Sequence, residues 1–158
     1  MTDHPLSAGR PTPLPPLIAD VKERAFAEFH RRLDAFGHRD IRDGHGCVFR
    51  FIDPDGSRLT TLAERAGFTK QAVGEIVDDL ERLGYVERVP DPSDRRAKLI
   101  RLTGRGVAAY SVGLQVFDEI EREWEQRFGA ERVAILRELL EELAADHPAG
   151  VAVAGAAL

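Results

Sequence analysis

The sequence predicts a mainly α-helical fold with one small β-hairpin, an α+β class. Over most of residues 17–143, apolar side chains recur every three or four positions, the spacing of a helix with one buried face. Two short segments differ, because in Tyr85–Val89 and Lys98–Leu102 apolar and charged residues alternate as in a half-buried strand. Residues 90–96 between them are rich in turn formers, so the two segments are expected to pair as a hairpin with a long tip.

Length and composition indicate one globular domain of ordinary size. The chain has 158 residues, of which 43% are apolar and 31% are charged, close to globular averages. It contains no apolar run near the ~20 residues that span a bilayer, and its first residues lack the pattern of a secretory signal. We therefore expect a cytoplasmic protein with no membrane partner and no cofactor. Because Cys47 is the only cysteine, an intrachain disulfide and a four-cysteine zinc site are excluded.

The pattern divides the chain into a folded body between two irregular ends. Residues 1–16 hold five of the nine prolines, which lack an amide donor and favour extended neighbours, so they predict a disordered arm. Residues 147–158 follow the last helical pattern and are expected to form a flexible tail. The body is expected to comprise N-terminal helices over residues 17–56, a lobe with two helices and the hairpin over 57–102, and C-terminal helices over 103–146.

The most informative stretch predicts two short helices joined by a tight turn. The pattern Thr61–Ala66 opens with the Thr-x-x-Glu spacing of a capping box, and a second pattern follows at Lys70–Leu83. Between them, Gly67 tolerates the positive backbone angle of a turn, and the Thr69 side chain can cap the second helix. The expected core side chains of the second helix are Val73, Ile76, Val77, Leu80 and Leu83.

On the opposite face, near the start of the second helix, lie Lys70, Gln71 and Gly74, with Thr69 at the cap. In a helix-turn-helix, these positions of the second helix meet base edges in the major groove of duplex DNA. Lysine suits guanine or phosphate and glutamine can pair with adenine, so these four are candidate DNA-binding residues. Taken alone, the stretch is equally compatible with an ordinary helical hairpin whose polar side chains are solvated.

The downstream hairpin favours DNA binding. Its turn-rich segment carries Arg95 and Arg96, and cations on such a wing can reach the minor groove, where narrow tracts concentrate negative potential. Asp94 is expected to pair with one of the two arginines and hold it in register. The chain as a whole has a net charge of -5, but residues 57–106 carry ten Lys and Arg against eight Asp and Glu. This part is therefore able to approach phosphates.

The order of these features resembles the MarR family of bacterial transcription factors. The resemblance is carried by the helix-turn-helix followed by Gly84–Arg88, Asp91–Lys98 and Leu102–Gly106. It implies a homodimeric winged helix-turn-helix repressor with dimerisation helices at both ends of the body. It implies Lys70 and Gln71 in the major groove of a pseudo-palindromic duplex and a wing arginine in the minor groove. The Asp-x-Arg pattern implies that Asp94 pairs with Arg96 and leaves Arg95 freer, although the reverse assignment also fits.

The resemblance further implies release from DNA by a small lipophilic or aromatic effector that binds between the dimer-forming helices and the DNA lobe. The matching positions are Phe26, Phe29, His45, Phe49, Tyr110 and Leu114. For the apolar members of this set, plain core packing is the alternative.

Other sequence features predict no further site. Cys47 stands among apolar residues and is expected to be a buried, inert thiol. His30, His38 and His45 lack the spacing of metal ligands, and a calcium-like loop beginning at Asp53 has Arg58 where glycine is required. Because the common catalytic motifs do not occur, we do not expect an enzyme. The competing class is a winged-helix module for protein–protein assembly without DNA binding, which would not need cations on both the helix and the wing.

Overall fold

The computed structural model describes residues 11–146, so the first ten residues of the expected arm and the whole of the expected tail lie outside the described part. Within that part the chain forms six α-helices, a short 3₁₀ turn at Asp43–His45 and three strands. The helices are α1 Leu14–Ala35, α2 Gly46–Phe51, α3 Leu59–Ala66, α4 Lys70–Arg82, α5 Gly104–Phe128 and α6 Ala130–Asp146, and the strands are β1 Ser57–Arg58, β2 Val86–Asp91 and β3 Asp94–Leu102. The mainly helical class with a small antiparallel sheet is therefore confirmed. None of these helices is long and apolar enough to cross a membrane.

Helix α1 begins earlier than expected, at Leu14 instead of Leu17. Pro15 and Pro16 lie in its first turn, where the amide that proline lacks would have no helical acceptor in any case. The expectation that residues 14–16 belong to an irregular arm is wrong for that reason.

Helices α3 and α4 form the expected pair around a sharp turn. Gly67 has a φ of 67° at the end of α3, a conformation that glycine adopts without a Cβ penalty. The Ala72 amide donates to Oγ1 of Thr69 at 3.1 Å, so the predicted cap of α4 is confirmed. On the core side of α4, three of the predicted side chains are fully buried and two partly, namely Val73, Val77 and Leu80, then Ile76 and Leu83.

A two-residue strand, β1, precedes α3 and pairs with Leu99 and Ile100 of β3. It is too short to show alternation, so the sequence did not predict it. Because the chain passes from β1 directly into α3 at Leu59, Thr61 and Glu64 already lie inside the helix. The expected capping box at Thr61 is therefore wrong.

The sheet has the order β1-β3-β2, with β2 and β3 antiparallel. The expected long tip over residues 90–96 is wrong, because the pairing continues to Asp91 and Asp94 and leaves only Pro92 and Ser93 between the strands. Pro90 is tolerated because β2 is an edge strand, where proline is commonly found. Consequently the two wing arginines lie at the start of β3, next to the tip.

The start of α5 packs closely against the end of the helix-turn-helix. Thr103 accepts a hydrogen bond from the Gly106 amide at 3.1 Å and donates its hydroxyl to the carbonyl of Gly84 at 2.6 Å. The Thr103 amide donates to the carbonyl of buried Tyr85 at 3.0 Å. These contacts fix the direction in which α5 leaves the lobe.

We predict that Gly106→Ala destabilises the protein by about 3 kcal/mol, the upper part of the range for overpacked sites. A Cβ on Gly106 would overlap the carbonyl oxygen of Tyr85, which is backbone and cannot rotate away. Urea denaturation measures the change in the free energy of unfolding. Gly104→Ala is the matched control, because nothing lies within 4 Å of its Cβ position. Equal stability of the two variants would contradict this close packing.

Candidate nucleic-acid interface

The first turn of α4 presents its polar side chains to a concavity beside the sheet. Lys70 and Gln71 are exposed, and Gly74 is half-buried. The concavity has a volume of about 470 Å³ and is lined by Leu59, Lys70, Gln71, Gly74, Glu75, Asp78 and Arg88. Since Arg88 belongs to β2, the start of α4 and the base of the wing border the same concavity.

Gly74 interrupts the exposed face of α4 without an evident reason inside the chain. A Cβ at this position would meet only Leu59 Cδ2, at an ordinary 3.7 Å. Glycine within a helix costs about 1 kcal/mol relative to alanine. Internal packing therefore does not require this glycine, and a close approach from outside the chain is the remaining physical reason for it.

The wing is anchored by Asp91, which is 5% exposed. Its Oδ1 accepts hydrogen bonds from the Ser93 amide at 2.8 Å and the Ser93 hydroxyl at 2.6 Å. Its Oδ2 accepts from Arg58 Nε at 2.7 Å. These bonds from Ser93 and from Arg58 lower the pKa of Asp91 to about 2. The carboxylate thus ties the tip to β1 and α3.

Asp94 has a different role from the one expected. Its Oδ1 accepts the backbone amide of Arg96 at 3.0 Å, and its Oδ2 lies 4.0 Å from Arg58 Nη2. An ion pair with a wing arginine does not occur in residues 11–146, because Asp94 is taken up by its own strand. The guanidinium groups of Arg95 and Arg96 are both exposed.

Strand alternation separates these two arginines. Successive side chains point to opposite faces of a strand, so Arg96 and Lys98 share the face of β3 that carries buried Ile100. Ile100 pairs with Arg88 of β2, so this face borders the concavity. Arg95 lies on the opposite face.

Arg88 joins the wing to α4. Its Nη2 contacts Asp78 Oδ1 at 2.6 Å, and its Nη1 binds the carboxylate of Glu81. Glu81 also accepts the Arg88 backbone amide at 3.2 Å. The helix and the base of the hairpin are held together as one rigid unit by these contacts.

The other side of α4 is held by Asp79. Its Oδ2 accepts from Arg42 Nη2 at 2.7 Å and from His45 Nε2 at 2.9 Å. Nδ1 of His45 accepts the Arg42 backbone amide at 3.2 Å, so the proton of the neutral ring is on Nε2. Burial lowers the pKa of His45, which keeps the ring neutral and this arrangement intact near neutral pH.

Tyr85 links the lobe to the long helix that follows it. The ring is fully buried and lies under the guanidinium of Arg105, 4.4 Å from its centroid. Arg105 donates to the Tyr85 hydroxyl at 3.1 Å and to the Leu83 carbonyl at 2.7 Å. The end of α4 and the start of α5 therefore move together.

The six positions predicted for an effector do not form one cluster. The ring centroids of Phe26 and Phe29 lie 6.1 Å apart, and the ring of Phe29 stacks on that of Phe117 with centroids 4.3 Å apart. The prediction missed Phe117. His45 is buried and bonded to Asp79, and Phe49 packs edge-on against Tyr85. Tyr110 and Leu114 are exposed on α5.

A larger cavity of about 570 Å³ lies between α1, α5 and α6. None of the six predicted positions lines it. Its walls are Val21, Arg24, Ala25, Glu28, Ile120, Glu123, Trp124, Arg127, Phe128, Arg132, Val133 and Leu136.

Cys47 is half-buried and donates its thiol to the Gly44 carbonyl at 3.2 Å. Burial raises the pKa of this thiol, which disfavours the reactive thiolate. The described residues contain no group of three or more His, Cys, Asp or Glu arranged to hold a metal ion.

Comparison with known proteins identifies similar sequences and folds. Residues 41–97 match a model described as the MarR family. The transcriptional regulator HosA of Escherichia coli O111:H- is 27% identical over 105 residues, which cover 66% of this chain and 78% of HosA. The homoprotocatechuate degradative operon repressor of Escherichia coli is 36% identical over 84 residues, 53% of this chain and 57% of the repressor. The crystal structure of wild-type MarR from Escherichia coli in its apo form has a TM-score of 0.65 and 25% identity, covering 85% of this chain and 98% of MarR.

We predict that Asp91→Asn loosens the wing, because the amide removes the charge that faces Arg58 and leaves the donor of the Asn side chain without an acceptor. Hydrogen exchange of the amides of residues 91–97 should become at least about tenfold faster, which corresponds to about 1.4 kcal/mol. Asp55→Asn, in an exposed turn, is the control and should leave exchange in the wing unchanged. Equal exchange in both variants would show that Asp91 does not anchor the wing.

Proposed function

We propose that this chain, of which residues 41–97 match a model of the MarR family, is a homodimeric repressor of that family that binds a pseudo-palindromic duplex. In this proposal, α4 enters the major groove and the wing reaches the minor groove. Thr69, Lys70, Gln71 and Gly74 are the proposed contacts of the helix, and Arg95 and Arg96 those of the wing.

The distribution of unpaired cations supports this proposal. Residues 57–106 contain ten Lys and Arg, and six of them form ion pairs with carboxylates, namely Arg58, Arg65, Arg82, Arg88, Arg101 and Arg105. The other four, for which the described part of the chain offers no ion pair, are Lys70, Arg95, Arg96 and Lys98. They lie at the start of α4 and on the wing. Free cations at these two places are what phosphate contacts require.

Lys98 joins the proposed contacts, although the sequence did not single it out. It shares a strand face with Arg96, and this face borders the concavity beside α4. The small Gly74 supports the same docking mode, because it allows the backbone of α4 to come close to base edges. A module for protein assembly would need neither feature.

Exposed apolar side chains on the terminal helices support a homodimer. Helix α6 buries only Val133 among its side chains, while α1 begins with an apolar surface open to solvent. The exposed apolar residues of these two helices include Leu14, Leu17, Ile18, Val21, Ile135, Leu136, Leu139 and Leu140. A second copy of the chain would cover them and place two lobes at half-sites about one helical turn, ~34 Å, apart.

A small lipophilic or aromatic effector completes the proposal. It would weaken DNA binding only as far as it favours a spacing of the two lobes that does not fit the duplex. Among the residues predicted for its site, Phe26 and Phe29 form an aromatic group with Phe117, and this group is the proposed part of the ligand site.

We predict that Arg95→Ala with Arg96→Ala weakens binding to a selected duplex and lowers the slope of log K against log salt by about one to two units. Fluorescence anisotropy titrations at several salt concentrations measure both quantities. The control is Arg82→Ala with Arg101→Ala, which removes the same charge from the same lobe but from arginines that already face carboxylates. A control that lowers the slope as much as the wing variant would contradict the argument from unpaired cations.

We also predict that Ile135→Asp with Leu139→Asp converts the dimer into a monomer. The two side chains lie one turn apart on exposed α6, and their charges would be buried in the dimer interface. Sedimentation should give the 17.5 kDa of one chain instead of twice that mass. Ser111→Asp with Gln126→Glu adds the same charge at exposed polar positions of α5 and should remain dimeric. Wild-type protein that sediments as a single chain would refute the dimer.

A further inference from the structure

Glu75 is a carboxylate without a counter-charge on the face of α4 proposed to enter the major groove. It is exposed and lines the concavity beside Gln71 and Gly74. Its one hydrogen bond in the described chain comes from Gln71 Nε2 at 3.4 Å. Asp78, one turn further along, differs because it forms an ion pair with Arg88 at 2.6 Å.

An unneutralised carboxylate on such a face is informative because duplex DNA carries about one phosphate charge per 1.7 Å of its axis. A carboxylate directed at the backbone is repelled by that charge. It is tolerated on the floor of the major groove, where it can accept a hydrogen bond from an amino group. Cytosine N4 and adenine N6 are the amino groups there, while guanine and thymine present only acceptors, N7 with O6 and O4 respectively.

The acceptor next to each amino group distinguishes the two amino bases. One of the two N–H groups of Gln71 is directed to Glu75, so Gln71 orients the carboxylate. Adenine exposes the acceptor N7 next to its amino group, which a carboxylate would meet unfavourably. Cytosine has no such acceptor in the major groove.

We propose that Glu75 is a specificity-determining residue that accepts a hydrogen bond from the N4 amino group of a cytosine in each half-site, with Gln71 holding its carboxylate in place. This inference rests on the proposed DNA-binding function and adds to it one base at one position. The unpaired cations Lys70, Arg95, Arg96 and Lys98 supply affinity for any duplex, whereas Glu75 lowers affinity for duplexes that lack the cytosine.

The test is selection from random duplexes with wild-type protein, Glu75→Gln and Glu75→Ala at one salt concentration. The wild type should select cytosine at one position of each half-site, at least about tenfold over guanine and thymine. In Glu75→Gln, the new amide can pair with adenine, so the preference at that position should move from cytosine to adenine. In Glu75→Ala, all four bases should be accepted there, and the other positions should keep their preferences.

Glu23→Gln is the control, because it removes one exposed negative charge on α1 and should select the same sites as the wild type. Both Glu75 variants keep a residue that favours helix at an exposed position, and equal melting temperatures verify the fold. An unchanged cytosine preference in both variants overturns the inference and leaves DNA binding intact. A wild type that selects adenine at the position altered in the variants also overturns it. A wild type that enriches no duplex contradicts the proposed function itself.

Discussion

The binding lobe depends on the ion pairs that join the wing to the helix-turn-helix. Arg88 binds Asp78 and Glu81 of α4, and Arg58, at the start of α3, binds Asp91 at the end of β2. A two-stranded hairpin alone is only marginally stable in water. The base of this hairpin is held by β1 and by the buried Val86 and Ile100, and the ion pairs add contacts between the strands and both helices of the lobe. With them, the start of α4 and the strands of the wing form one surface.

The same ion pairs determine where the lobe is positive. Six cations of residues 57–106 form ion pairs with carboxylates, and the four that do not lie at the start of α4 and on the wing. A chain with a net charge of -5 can thus bind a polyanion through a small surface while the rest repels it. Because each unpaired cation stands on a helix or a strand, its backbone is already ordered when it meets a phosphate, and only its side chain loses freedom.

Local chemistry made much of this predictable from the sequence. The turn at Gly67, the cap at Thr69 and the buried face of α4 depend on residues close in sequence. The grouping of Lys98 with Arg96 was missed, because Arg96 was assigned to the tip instead of to β3. The anchor at Asp91 was missed because its partner Arg58 lies 33 residues away, and no local pattern links the two. The stacking of Phe117 on Phe29 likewise depends on how α5 crosses α1, and the apolar spacing within each helix does not determine that crossing. Asp94 was misread because its own strand offered a nearer partner than an arginine side chain.

Hydroxyl-radical footprinting of the wild-type protein on a selected duplex tests the central claim most directly, namely that one rigid lobe per chain presents α4 and the wing to the same face of DNA. The account predicts two protected regions about ten base pairs apart, related by a twofold axis, each with a minor-groove protection where the wing reaches the backbone. A single protected region without symmetry would contradict it.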